Sequence, residues 1–168
     1  LGVVVLAHLH SACSSSSEDT QATPSDTPTS VVSPTPSQSV ITQQVTLYFI
    51  SDTGKSFRLF SELHEVQSDS TDLANAALTQ ILSGIKPKDS DYTNLWGTDA
   101  RLNGLSVVAG LATVDLHFEQ LNVGSETELR AIEQILSTLK ANNPEINQVE
   151  FLRDGNIVES FAGHVETL

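Results

Sequence analysis

Between Cys13 and Val45 the chain contains almost nothing from which a hydrophobic core could be built. Ser, Thr and Pro dominate, from Ser14-Ser15-Ser16-Ser17 through Pro24, Pro28, Pro34 and Pro36, and the only charges are Glu18, Asp19 and Asp26. Such a tract cannot bury enough apolar surface to offset the entropy of ordering it, so disorder is expected, with local stiffening at the prolines. About thirty residues of this kind span about 30 Å r.m.s. and reach roughly 100 Å when stretched. Residues 13–44 therefore read as a tether, which separates a short leader from a domain beginning at Val45.

The leader opens with the apolar run Leu1-Gly2-Val3-Val4-Val5-Leu6-Ala7, interrupted by His8 and His10. A membrane-spanning helix needs about 20 apolar residues, whereas about 7–15 suffice for the apolar region of a secretory signal. No Met occurs among the 168 residues, so the first residues, with the basic start of such a signal, are expected to be missing. Ser11, Ala12 and Cys13 follow where the apolar run meets the polar tract. This arrangement resembles a bacterial lipobox, although His10 stands where an aliphatic residue is usual. The resemblance implies cleavage before Cys13 and acylation of its thiol, with residues 1–12 removed. As the one cysteine, Cys13 also rules out an intramolecular disulfide and a Cys-rich zinc site.

Charge narrows the partners. Eight Lys and Arg against 21 Asp and Glu give a formal charge of −13. That balance disfavours nucleic acid, which requires cations to displace counterions from phosphate, and it disfavours a polybasic patch on anionic lipid.

From Val45 onward the hydropathy becomes periodic. Val45-Thr46-Leu47-Tyr48-Phe49-Ile50 reads as a strand, and Phe57 to Val66 as a second. In that second strand Phe57, Leu59 and Leu63 are expected inward, and Arg58, Glu62 and His64 outward. Ser68 to Asp72 supply helix N-cap oxygens, after which Leu73, Ala74, Ala77, Leu78, Ile81 and Leu82 recur at helical spacing until Gly84 and Pro87. Residues 86–101 read as a long loop. Leu105–Val108 and Ala112–Phe118 form a hairpin around Ala109-Gly110, with Ala112, Val114, Leu116 and Phe118 inward. Ser125-Glu126-Thr127-Glu128 has the form of a capping box and opens a helix ending before Pro144. Two last strands, 149–152 and 157–161, flank the turn residues Asp154-Gly155-Asn156. The expected fold class is α+β: a two-layer sandwich in the order ββαββαββ, with two helices packed on one mainly antiparallel sheet.

In their order and spacing these pieces resemble the GerMN domain of bacterial sporulation and spore-germination lipoproteins. The residues that carry the likeness are Val45–Phe49, Leu78–Gly84, Gly110–Leu116, Gln134–Leu139, Val149–Phe151, Asp154-Gly155 and the tail Gly163-His164-Val165. The resemblance implies a fold akin to ring-building modules and a lipid-anchored place on the extracytoplasmic side of a Gram-positive cell membrane. It also implies a protein partner in the envelope, with self-assembly into an oligomer as one form of partnership.

Chemistry is sparse. His64 and His117, with Glu62 and Asp115 near them, could make a metal site only if their strands were adjacent, and no compact ligand motif such as HExxH occurs. Solvated histidines on an acidic sheet face are the plainer reading. Gly104-Leu105-Ser106-Val107-Val108 lacks the second glycine of a nucleophile elbow. His164 belongs to the family-like tail. We therefore expect no catalytic residue, no metal and no cofactor. The reading is a non-enzymatic binding module, with a cell-wall hydrolase or a ligand-binding lipoprotein as alternatives. Trp96 and Tyr92, in the long loop, are the candidate partner contacts, since rigid aromatics on loops often anchor recognition; the competing reading folds Trp96 back over the core.

Overall fold

The computed structural model describes residues 40–52, 56–119 and 123–167. The leader, Cys13 and the tether as far as residue 39 lie outside them.

β1 (Ile41–Asp52) and β2 (Phe57–Ser68) form an antiparallel ribbon in which Val45 faces His64 and Phe49 faces Phe60. β1 begins at Ile41, ahead of Val45, because β2 runs to Ser68 and offers Ile41–Gln44 partners at Glu65–Ser68. After α1 (Leu73–Leu82), strands β3 (Arg101–Val108) and β4 (Leu111–His117) make a second hairpin. α2 (Ser125–Asn142) then crosses over so that β5 (Gln148–Arg153) pairs parallel to β4, and β6 (Asn156–Ile157) turns back on β5. The element order is ββαββαββ, as the sequence implies.

The strands form two sheets, β1-β2 and β3-β4-β5-β6, where one was expected. α2 supplies the reason. Its polar side chains Gln134, Thr138 and Asn142 recur every fourth residue, so they share one stripe of the helix. That stripe lies along the edge of β1. Asn142 Oδ1 accepts from the Thr46 amide at 3.0 Å and its Nδ2 donates to the Thr46 carbonyl at 2.7 Å. Thr138 Oγ1 accepts from the Tyr48 amide at 3.2 Å, and Gln134 Nε2 donates to the Tyr48 carbonyl at 2.8 Å. Side chains thus occupy the positions that a neighbouring strand would take.

α1 is capped by Asp72, whose carboxylate accepts from the Ala74 and Asn75 amides, and it stops at Gly84 with φ +74°. It buries Ala74, Ala77, Leu78, Ile81 and Leu82 against β1, β3 and α2. In β4 the alternation holds: Ala112, Val114 and Leu116 are fully buried. Aromatics are few, yet they concentrate: Trp96, Phe118, Phe151 and Phe161 meet edge-to-face with centroids 5.1–6.0 Å apart.

The capping box does not form. Gly124 is the N-cap of α2, so Ser125 is already helical and Glu128 sits one position too deep to reach back. Glu128 is fully buried and turns to the C-terminal segment instead. Its Oε1 accepts from Ser160 Oγ and the Phe161 and Ala162 amides, and its Oε2 from the His164 and Val165 amides, all at 2.7–3.1 Å. This also shortens β6: the strand expected over 157–161 ends at Ile157, and the amides beyond it turn toward the carboxylate.

Candidate functional site

The second strand is turned over relative to expectation. Cross-strand partners share a face, and Val45, Leu47 and Phe49 are buried on one face of β1. Their partners His64, Glu62 and Phe60 must therefore point the same way. His64 is buried, with its ring 5.6 Å from that of Phe49, while Leu63 is 60% exposed. Around Glu62, Leu63 and His64 the expected alternation is reversed, because the register with β1 outweighs the apolarity of β2's own residues, whereas Phe57 and Leu59 are half-buried and Arg58 is exposed.

Buried beside the core, His64 is structural. Its Nε2 lies 2.7 Å from Glu62 Oε2, and the same carboxylate accepts from the backbone amides of Lys88 (2.8 Å) and Asp89 (2.9 Å). Burial raises the Glu62 carboxyl, but these amide bonds and His64 more than offset it and leave it below the usual range. His117 lies on the other sheet, where Nδ1 meets Asp154 at 2.9 Å and Asn103 joins through Nδ2 at 3.1 Å. Those bonds hold the Asp154 carboxyl below its ordinary value. The two-histidine site is thus not assembled, since β2 and β4 belong to different sheets. His164 is exposed and acts through its backbone amide on Glu128.

Residues 84–98 form a groove of about 520 Å³ that is lined by Tyr92 and Trp96. The loop is tied down along its length. Thr93 and Ile50 exchange backbone bonds at 2.7 and 2.9 Å. Asn94 Nδ2 donates to the Ile81 and Ile85 carbonyls, and its Oδ1 accepts from the Trp96 amide and Gln134 Nε2. Trp96 forms the floor: it is 2% exposed and its indole Nε1 donates to the Ala131 carbonyl at 3.0 Å. That burial removes Trp96 as a projecting anchor and makes it part of the core. Tyr92 is half-buried at the rim and stacks on Phe60 with centroids 4.8 Å apart and planes 10° from parallel. Desolvation, with Asp89, Glu62 and Asp91 close by, raises the Tyr92 phenol.

A further feature was invisible in the sequence. Thr46 and Tyr48 turn their backbone groups to α2, and Ile50 turns its own to Thr93, all away from β2. Residues opposite one another in an antiparallel pair orient alike, inward or outward together. The partners Leu63, Ser61 and Leu59 must therefore also turn theirs outward, on the far side of β2. Lys88 Nζ donates to the Leu63 carbonyl. Among the described residues no other backbone or side-chain group bonds to this edge, so the ribbon is sealed along β1 and, apart from the Leu63 carbonyl, open along β2.

A family model described as Germane, sporulation and spore germination, matches residues 46–159. The chain belongs to this family. Germane, or GerMN, is a sporulation and germination domain and not a known enzyme family. Three solved structures share the fold. The first GerMN domain of the sporulation protein GerM from Bacillus subtilis is 19% identical, with TM-score 0.58, covering 75% of this chain and 93% of that one. The tandem GerMN domains of GerM give 18% and 0.56 over 76% of this chain and 45% of that one. A "putative lipoprotein from Clostridium perfringens" gives 22% and 0.51 over 75% and 84%. No curated protein matches the chain.

Proposed function

We propose that this GerMN domain is a non-enzymatic module, held by an acylated Cys13 on the extracytoplasmic face of a Gram-positive cell membrane. There it takes up an extended strand of an envelope protein along β2. The edge itself carries this reading: among the described residues the backbone groups of Leu59 and Ser61 and the Leu63 amide meet no partner, and such groups are a ready template for strand addition. The exposed Leu63 side chain beside it supplies apolar contact. Two further observations support the anchor: the polar tract after Cys13 is long enough to let the domain search the wall zone, and a related fold occurs in a protein named as a lipoprotein. One acyl chain binds a membrane only marginally, so two or more are needed on Cys13.

Each part has its own test. Labelled palmitate is expected in the wild-type protein and absent from Cys13→Ala, which is released from the membrane; equal release of both removes the anchor. Proline is tolerated on an edge strand whose amide faces outward, so Ser61→Pro should fold normally yet lose site-specific crosslinking from position 63 to its envelope partner. Unchanged crosslinking in Ser61→Pro would exclude docking along β2.

A further inference from the structure

We infer that the groove formed by residues 84–98 is a binding site for a neutral, hydroxyl-rich sugar chain. This goes beyond strand docking on β2 and stands on different residues. The groove's volume of about 520 Å³ is of the size that encloses a small ligand, and ligand sites combine apolar walls with a few polar groups. Its wall includes a flat, pre-positioned ring. Phe60 covers one face of Tyr92 in a near-parallel stack, which leaves the opposite face turned away from Phe60, and Tyr92 lines the groove. A sugar ring presents a flat C–H face that packs on such a surface, and the stacked pair holds it without further loss of side-chain freedom.

The polar groups point to the same chemistry. Lys86, Ser90 and Thr98 line the groove, are exposed and have no side-chain hydrogen bond. Two hydroxyls, which both donate and accept, together with an ammonium donor, match the mixed requirements of sugar hydroxyls. The charge offered to an ion is small: the lining carries Lys86 and Lys88 against Asp89, Lys88 Nζ is engaged by the Leu63 carbonyl, and Asp91 follows in the same loop. The loop also needs no rearrangement to bind, being fixed by Asn94, by Glu62 and by the Ile50–Thr93 bridge.

Trp96, the one tryptophan, sits in the groove wall and reports on its contents. The test titrates the full chain with chitotetraose, cellotetraose and maltotetraose up to about 10 mM, a range that detects millimolar affinity, while following Trp96 fluorescence. A saturable change with at least one sugar is expected. Tyr92→Ala should weaken it about tenfold and Tyr92→Phe by less than about threefold, since the ring face is retained. Should Tyr92→Ala fail to fold, Thr98→Arg crowds the groove from an exposed position without adding a second fluorophore and should abolish the response in a protein of unchanged circular dichroism. Three outcomes would overturn the proposal: no saturable response to any of the sugars, wild-type affinity in a folded Tyr92→Ala, or saturation by inorganic phosphate at lower concentration than by sugar. None of these touches the crosslinking at β2, so the two proposals fail separately.

Discussion

Glu128 shows how one residue decides the path of a segment. A buried carboxylate with five donors is stable only in its ionised form, because every neighbour offers a proton and none accepts one. Burial alone would raise its titration point; the Ala162, His164 and Phe161 amides and the Ser160 hydroxyl outweigh burial and lower it beneath the ordinary 4.5. A carboxyl depressed in the folded state stabilises above its unfolded pKa, and that contribution is lost as pH falls through the folded value. Glu128→Gln should therefore cost about 2–3 kcal/mol at pH 7, since its amide would face N–H donors. Urea melts of the wild type should weaken on acidification below about pH 4, and the variant should show a shallower dependence. Equal slopes would assign the acid sensitivity elsewhere.

The β3–β4 turn allows an opposed pair of substitutions. Ala109 and Gly110 both have positive φ, 51° and 85°, as a two-residue hairpin turn requires. Ala109→Gly should stabilise by up to about 1 kcal/mol by relieving a left-handed alanine. Gly110→Ala should destabilise by more than about 1 kcal/mol, because its Cβ would lie 2.5 Å from Asn147 Nδ2 as well as adopting the strained φ. Thermal melts of the two variants should move in opposite directions.

At the scale of elements, α2 does more than cover a core. Its stripe of Gln134, Thr138 and Asn142 seals β1, and Gln134 also accepts from the Leu95 amide at 3.1 Å, which joins the sealed edge to the groove loop. Gln134→Leu preserves bulk and removes these two bonds together with the one to Asn94 Oδ1, leaving the Tyr48 carbonyl and Leu95 amide unmet at a cost of about 1–3 kcal/mol each. Calorimetry should show a clear fall in Tm for this variant, whereas Leu136→Ala, on a half-exposed face of the same helix, should change it far less. The strands, helices and turns were readable because each depends on nearby residues: Asp72 as a cap, Gly84 as a stop, Asp154-Gly155 as a turn. The face of β2 was not, because its inward set follows β1 through register. Nor was the role of Glu128, whose position fits a local box as well as a distant segment. The polar stripe on α2 did leave a signal, in polar residues spaced by four among apolar ones, though its meaning depended on which strand lay beside it.

As a whole the molecule separates its tasks along the chain. In our proposal the Ser/Thr/Pro tract that follows Cys13 serves reach, while the GerMN domain, whose first strand begins at Ile41, supplies shape. No helix among the described residues is long and apolar enough to cross a membrane. The domain would then present two distinct surfaces, a backbone edge on β2 and a groove with an aromatic wall, which suits a module bridging envelope components. Both aromatics singled out from the sequence reach the groove, but with different duties: Trp96 as its buried floor and Tyr92 as its rim.

The order of elements and the fold class were contained in the sequence, since each follows from periodicity and capping within a few neighbouring residues. Only the tertiary structure decided that there are two sheets, that His64 is inside and that one ribbon edge stays open. Those outcomes turn on which backbone groups find partners far along the chain, and hydrogen-bond satisfaction at such distances leaves no local mark.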